Sequence, residues 1–239
     1  MDFNAKEVKN ELIKWIVDWF EINGKGCNAV IGISGGKDST ITAALCVEAL
    51  GKDRVIGVAM PENGQSLNDA DKICDYLGIK FIEAPIGSIV EEANKYASTI
   101  QARQNIPPRV RMTTLYAISQ SNNGRVSNNC NLSEDYVGYA TIFGDAAGDF
   151  SCLKNLTVTE IRAIGRELNL PSEWVEKTPD DGLPHSTTDE AKFGFTYEVL
   201  DKYIRGIEEP SLEIKEKIDK MHRSNLFKLQ PIASFIPKK

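Results

Sequence analysis

The first apolar pattern in the chain has the period of an α-helix. Between residues 4 and 22, apolar side chains recur at steps of three and four residues, with charged residues between them. The spacing predicts an amphipathic helix over residues 4–22, with an apolar face formed by Val8, Leu12, Trp15, Ile16, Trp19 and Phe20. Because charges interrupt this stretch, we expect neither a signal peptide nor a membrane anchor here.

Three apolar runs then alternate with helical patterns. The runs are residues 27–33, 54–60 and 80–85. Such runs are typical of strands that are buried on both faces of a parallel sheet. Helices are predicted between them over residues 39–50 and 67–77, and a weaker strand near residues 124–128. This alternation predicts an α/β fold with a doubly wound parallel sheet flanked by helices.

The remaining pattern is mostly helical and predicts a helical C-terminal extension. Thr157 and Glu160 have the spacing of a capping box, and further helices are predicted near residues 196–205 and 211–223. Residues 178–194 are rich in Pro, Gly, Thr and Asp, which predicts a long loop that is either a lid or disordered. Residues 1–239 are expected to form a single domain.

Composition and charge narrow the possible partners. The chain has 239 residues, of which 41% are hydrophobic and 26% charged, and its net charge is −6. No stretch reaches the length of about 20 apolar residues that spans a bilayer, so no membrane partner is expected. The acidic balance argues against a nucleic-acid partner held through its phosphates.

The cysteines are expected to be free thiols. Their number is odd, and there is neither a Cys-x-x-Cys pair nor histidine spacing that fits a zinc site. This usage fits a reducing, cytoplasmic environment. The five are Cys27, Cys46, Cys74, Cys130 and Cys152.

The loop after the first predicted strand has the composition of an anion site. It joins a buried strand to a helix, where ligands bind in open α/β sheets. Its glycines allow backbone N–H groups to approach an anion, and the helix N-terminus adds a favourable partial charge. Ser34 and Ser39 can donate to phosphate oxygens, and Lys37 adds a cation. The segment is Gly32, Ile33, Ser34, Gly35, Gly36, Lys37, Asp38 and Ser39.

Two common phosphate-binding loops do not fit this segment. A P-loop needs glycine where this chain has Ile31, and Asp38 follows the lysine. A dinucleotide fingerprint needs glycine where Ser34 stands. Asp38 would repel phosphates unless a divalent metal lay between them, so it predicts Mg²⁺. The alternative interpretation is a glycine-rich turn in which Asp38 only caps the helix.

The loop resembles the S-G-G-x-D-S signature of the N-type ATP pyrophosphatases. Later segments are similar to one family within that superfamily, the ammonia-dependent NAD synthetases. The similarity runs in order from about residue 28 to residue 231. It is carried by Arg109-Val110-Arg111-Met112 with Leu115-Tyr116, Asn131-Leu132-Ser133-Glu134, Gly144-Asp145, Gly148-Asp149, Thr188-Asp189-Glu190, and Gly194-Phe195-Thr196-Tyr197 with Leu200-Asp201.

This resemblance implies a Rossmann-like adenine-nucleotide hydrolase fold, a homodimer and a two-step ligation. The carboxylate of deamido-NAD would attack the α-phosphorus of ATP, and free ammonia would then displace AMP to give NAD. The length leaves no room for a glutaminase domain, so free ammonia is the expected nitrogen donor. The helices near residues 107–121 and 130–139 are expected at the dimer interface.

The resemblance also implies roles for individual residues. The 32–39 loop would hold the ATP phosphates, with Asp38, Lys37 and Ser34 as its catalytic members. Gln65 would contact the adenosine of ATP. Asp38 and Glu134 would hold Mg²⁺. The residues expected to contact deamido-NAD are Arg111, Asp149 and Lys228.

Ordinary structural roles are the alternative for several of these side chains. Arg111 would then solvate a helix face, Glu134 would be a first-turn helix charge, and Asp145 and Asp149 would be turn residues. His185 and His222 are expected to have no functional role.

The chain departs from the family pattern at five positions. Four of these changes alter charged or ionisable groups. Ile142 and Val158 stand where the family has a cation, Asp180 adds an acid near the expected phosphates, and Phe227 replaces a histidine. Asn129 replaces a threonine. Two other functions therefore stay open. One is an ATP-pyrophosphatase-type ligase with another acceptor, and the other is a catalytically weakened nucleotide-binding homologue.

Overall fold

Four parallel strands form the central sheet, in the order β3-β2-β1-β4. We describe residues 3–67, 69–177 and 188–237 of a computed structural model. The strands are β1 (Asn28–Gly32), β2 (Val55–Ala59), β3 (Lys80–Glu83) and β4 (Gly124–Val126). Each ladder is parallel, with Val30 paired to Ile56 on one side of β1 and to Val126 on the other. The predicted α/β parallel sheet is confirmed.

Helices connect the strands and make up most of the second half. In chain order they are α1 (Ala5–Asn23), α2 (Lys37–Leu50), α3 (Ala70–Leu77), α4 (Gly87–Asn94), α5 (Ile100–Gln104), α6 (Ile106–Ser121), α7 (Leu132–Val137), α8 (Val158–Glu167), α9 (Ser172–Val175), α10 (Asp189–Phe193), α11 (Tyr197–Ile204) and α12 (Leu212–Leu229). A single 3₁₀ turn, Lys52–Arg54, precedes β2.

Both faces of the sheet are covered by apolar side chains. Helices α1, α2, α3 and α8 contribute to one cluster, in which Ile31 of β1 and Ile41 of α2 are fully buried. On the opposite face, Met112 and Leu115 of α6 join Val30 of β1. Burial on both faces explains why β1 and β2 are continuous apolar runs rather than alternating ones.

The second half of the chain has a further apolar cluster. Val137 from α7 and Val158 from α8 pack there with Phe193, Tyr197 and Ile218. Helix α8 begins with the predicted capping box, since the Thr157 and Glu160 side chains accept each other's backbone N–H groups. The predicted helical C-terminal extension is therefore confirmed, and α12 continues six residues past its predicted end.

Three short helices were not predicted from the sequence. Helices α4 and α5 are eight and five residues long, too short for a clear apolar period. Helix α10, capped by the Thr188 side chain, occupies the end of the segment predicted to be a loop. The rest of that segment, 178–187, lies outside the described residues.

The five cysteines are free and buried, as the sequence predicts. Burial raises the pKa of the Cys74 thiol to about 12 and that of Cys152 to about 11, which makes both thiols unreactive. Across residues 3–67, 69–177 and 188–237, no helix has the length and apolar character needed to cross a bilayer.

Candidate active site

A cavity of about 430 Å³ opens at the carboxyl ends of β2, β1 and β4. Its polar lining includes Ser34, Asp38, Gln65, Arg111 and Glu134. The sheet places these segments together because β1 lies between β2 and β4. In α/β sheets this position, where the strand order reverses, is where ligands bind.

The loop between β1 and α2 has the backbone of an anion cradle. Gly35 has a φ of +78°, a left-handed conformation that favours glycine. The first residue of α2 follows Gly36, and no side chain of the described residues caps the helix there, so its first N–H groups can meet a ligand. Ser39 Oγ donates to the Gly36 carbonyl at 3.1 Å and fixes the turn. The segment can therefore bind phosphate oxygens.

Asp38 and Glu134 come from different elements but meet at the cavity. Asp38 lies in the first turn of α2, and Glu134 in the first turn of α7. Asn131 connects them, since its Nδ2 donates to Asp38 Oδ1 at 3.4 Å and its Oδ1 accepts the Glu134 N–H at 3.0 Å. Asn131 itself is fully buried. A buried amide thus connects the Asp38 carboxylate to the backbone of α7 that carries Glu134.

The electrostatics of this pair favour a bound cation. Burial raises the pKa of the Glu134 carboxyl to about 8, and the negative charge of Asp38 adds to that effect while Lys37 opposes it. A divalent cation between the carboxylates would favour the ionised form of both.

The donor set fits Mg²⁺. Two carboxylates beside a phosphate loop match the way Mg²⁺ is usually held, by one or two carboxylates, substrate phosphates and water. Within the described ranges no group of three or more His, Cys, Asp or Glu residues forms a protein-only metal cage. Asp38 and Glu134 are therefore the residues that would hold the ion.

Lys37 lies in the same cluster but not on the cavity wall. Its ammonium is 2.9 Å from Asp38 Oδ2, and the side chain is 2% exposed. Burial lowers the pKa of this ammonium, but the carboxylates of Asp38 and Glu134 outweigh that effect, so the net shift is upward. Its predicted contact with ATP phosphates remains a prediction.

Arg111 and Gln65 lie in contact at one end of the cavity. Arg111 Nη2 donates to Gln65 Oε1 at 3.2 Å and to Glu62 Oε1 at 2.9 Å, and Arg111 Nε donates to the Met60 carbonyl. The sequence assigned these two residues to different substrates. The structure instead places them side by side on one wall.

Asp149 and Lys228 are engaged elsewhere. Asp149 accepts the Val126 N–H at 2.7 Å and the Tyr116 hydroxyl at 3.2 Å. Lys228 donates to the carbonyls of Gly138 and Ala140, at the end of α7. Neither side chain lines the cavity, and their predicted contacts with deamido-NAD are not tested by this geometry.

The departures from the family pattern have distinct surroundings. Val158 is fully buried in the apolar cluster of α7, α8 and α11, so it is a core residue. Asn129 lines the cavity and donates to the Gly32 carbonyl at 3.2 Å. Phe227 is 62% exposed, and the Ile142 carbonyl accepts from Arg109 Nε. Asp180 lies outside the described residues.

One part of the cavity wall is apolar and was not predicted from the sequence. It comprises Met60, Pro61, Leu67, Pro108, Met112 and Leu115. Such side chains suit the flat face of a base. Two of them could have been assigned to the site from the sequence, because Met112 and Leu115 belong to the motif that contains Arg111 and resembles the family.

A buried polar network supports α7, the helix that carries Glu134. Ser133 Oγ donates to Asp201 Oδ1 and accepts the Val158 N–H at 3.1 Å. Asp201 Oδ2 accepts the Thr159 N–H at 2.8 Å. The network therefore joins α7, the first turn of α8, and α11.

Comparison with known proteins gives a consistent result. The model of a family described as NAD synthase matches residues 8–236. The NH₃-dependent NAD⁺ synthetase of Methanococcus aeolicus is 39% identical over 226 residues, which cover 90% of this chain and 87% of that protein.

Solved structures extend the similarity to the fold. An NMN synthetase from Francisella tularensis has a TM-score of 0.89 and 29% identity, and the match covers 100% of each chain. An NH₃-dependent NAD synthetase from Campylobacter jejuni has a TM-score of 0.79 and 26% identity, covering 98% of this chain and 100% of the other.

Proposed function

Because the chain belongs to the NAD synthase family, we propose that it is an ammonia-dependent ligase that converts deamido-NAD to NAD with ATP. The observation that carries this proposal is the meeting of Asp38 and Glu134 beside the loop that follows β1, in one cavity. We further propose that residues 1–239 work as one domain, and in the cytoplasm, where the five free cysteines would stay reduced.

The chemistry divides into two steps. An oxygen of the nicotinate carboxylate attacks the α-phosphorus of ATP, the bond to the β-phosphate bridging oxygen breaks, and pyrophosphate leaves. Ammonia then attacks the carbonyl carbon of the acyl adenylate, loses a proton and displaces AMP, which leaves the amide. Both steps need reactants held in line and negative charge neutralised.

The chain's own groups supply binding and orientation. The N–H groups at the start of α2, with Ser34 and Ser39, bind phosphate oxygens. Asp38 and Glu134 would hold Mg²⁺, and the ion would supply neutralisation of charge on the phosphates. Gln65 and the apolar wall position the adenosine.

A second candidate differs only in the acceptor. The similarity to the NMN synthetase of Francisella tularensis over the full length of both chains favours a nicotinate mononucleotide as substrate. The chemistry of adenylation and amidation would be the same. Ile142 and Phe227 depart from the family pattern in segments that are expected to contact the second substrate. These two positions therefore affect which nucleotide is expected as the substrate.

Comparing the two nucleotides as substrates decides between the candidates. With saturating ATP, Mg²⁺ and ammonium, kcat/KM would be measured separately for deamido-NAD and for nicotinate mononucleotide. We expect deamido-NAD to be preferred by at least tenfold. A preference of that size for the mononucleotide would favour the second candidate, and turnover of neither would point to another acceptor.

Arg111→Ala tests whether Arg111 and Gln65, which lie side by side on the cavity wall, contact different substrates. Arg111 is expected to contact the second substrate, so the variant should raise the KM for deamido-NAD about tenfold and the KM for ATP less. Gln65→Ala, the matched variant on the same wall, should show the opposite order. Steady-state kinetics with each substrate varied in turn measures both. A larger effect of Arg111→Ala on ATP would assign Arg111 to the ATP site.

We also propose that the protein is a homodimer. Exposed aromatic side chains at the end of α7, in the loop after it, and on α12 support this: Tyr139, Phe143 and Phe227. Light scattering of the purified protein distinguishes a dimer from a monomer.

A further inference from the structure

The buried ammonium of Lys37 faces the two carboxylates that would hold Mg²⁺. Its Nζ lies 2.9 Å from Asp38 Oδ2 and is attracted by Glu134. The side chain is 2% exposed, whereas that of Asp38 is 18% exposed. A lysine this deeply buried needs compensating negative charge, and these carboxylates supply it.

Surrounding groups hold Lys37 in place. Its Nζ is 5.9 Å from the centre of the Tyr197 ring, a distance at which the ring face attracts a cation. The Tyr197 hydroxyl in turn donates to Asp189 Oδ2 at 3.4 Å, at the start of α10. Arg162 is the opposing charge, since it lowers the pKa of Lys37. The ammonium is thus enclosed by an aromatic ring on α11 and by the acid pair.

Two possible roles of Lys37 require different positions of its ammonium group. Contact with a phosphate in the cavity would require the ammonium to leave Asp38 and its buried position. Remaining in place, it neutralises the negative charge of Asp38, which it contacts at 2.9 Å. Such a charge raises the cost of adding a divalent cation beside the same carboxylates.

We propose that Lys37 is an internal counterion of the Asp38–Glu134 pair, and that it weakens the affinity of this pair for divalent metal while keeping the metal-free site folded. Lys37 is therefore a positioning residue rather than a phosphate ligand. The inference rests on the Mg²⁺ assignment in the proposed function, and it is independent of which nucleotide is amidated.

Mn²⁺ binding in the absence of nucleotide tests this role. Electron paramagnetic resonance measures free Mn²⁺ during titration of the wild type and of Lys37→Met, which shortens the side chain by one atom and removes its charge. We expect Lys37→Met to bind Mn²⁺ at least tenfold more tightly. Equal or weaker Mn²⁺ binding, together with weaker ATP binding in EDTA, would make Lys37 a phosphate ligand and overturn the proposal.

Two controls separate this result from a general charge effect and from a wrong metal site. Lys72→Met removes an equal charge from an exposed ion pair with Asp69 and should leave Mn²⁺ binding unchanged. Asp38→Asn should abolish the tight binding in the Lys37→Met background. If wild-type Mn²⁺ binding survives Asp38→Asn, the metal assignment itself fails, whatever the reaction proves to be.

Thermal melting tests the counterion role even if Lys37→Met folds poorly. Uncompensated acids should lower the Tm of this variant in EDTA, and Mn²⁺ should raise its Tm more than that of the wild type. The double variant Lys37→Met/Asp38→Asn should regain most of the lost Tm in EDTA, because the acid that Lys37 contacts is then neutral. A double variant as unstable as Lys37→Met alone would overturn the counterion role.

Discussion

Asp38→Asn is expected to reduce pyrophosphate release from ATP by at least about a thousandfold, or about 4 kcal/mol of transition-state stabilisation. Asparagine keeps the shape of the side chain and a hydrogen-bonding oxygen for Asn131. It loses the negative charge that a hard cation needs, and Glu134 alone is a poorer ligand set. The phosphates would then meet the loop without their neutralising ion.

This effect should be separable from unfolding. Asp38→Asn should keep the wild-type circular dichroism spectrum but melt at a lower temperature, because the buried ammonium of Lys37 loses its ion-pair partner, so pyrophosphate release is compared well below that Tm. Asp71→Asn, an isosteric change in the first turn of α3 and outside the cavity, should leave pyrophosphate release within about twofold of the wild type. Undiminished release from Asp38→Asn would remove the basis for the metal assignment.

Asp201→Ala is expected to lower the free energy of unfolding by about 3 kcal/mol. Asp201 is 3% exposed and accepts from the Ser133 hydroxyl and the Thr159 N–H. Alanine would leave the buried Ser133 hydroxyl and the part-buried Thr159 N–H without their acceptor, and losing the partner of a buried group costs about 1–3 kcal/mol. It would also release the first turn of α8 from α7 and α11.

Urea denaturation measures this loss, and graded variants test its cause. Asp201→Asn keeps one acceptor oxygen and should cost less than Asp201→Ala. Ser133→Ala removes a single hydroxyl and should fall between the wild type and Asp201→Ala. Asp75→Ala, at an exposed site on α3, should change the unfolding free energy by less than about 0.5 kcal/mol. An Asp201→Ala protein as stable as Asp75→Ala would contradict the network's role.

The sheet could be predicted because its signal is local. The runs that form β1 and β2 are continuous because the strands are buried on both faces. Helix α2 ends just before Gly51, and Pro61 follows β2, as the sequence predicts. The capping box at Thr157 depends on two side chains three residues apart. The anion loop was visible because glycines and serines follow a strand directly.

The site's internal geometry depends on contacts between distant segments and could not be predicted. The Lys37 ammonium lies 5.9 Å from the centre of the Tyr197 ring, which lies 160 positions later in the chain. The contact between Arg111 and Gln65 depends on how α6 packs beside the end of β2. The family pattern predicts a cation at position 158, but Val158 is buried beside Val137 and Tyr197 and is therefore part of an apolar core.

The central claim is tested most directly by following pyrophosphate, AMP and NAD in the same samples. The folded protein would be incubated with ATP, Mg²⁺ and deamido-NAD, with and without ammonium. We expect NAD to form only with ammonium, each molecule accompanied by one pyrophosphate and one AMP. Absence of NAD in the presence of ammonium, from protein that is folded and binds ATP, would contradict the proposed function.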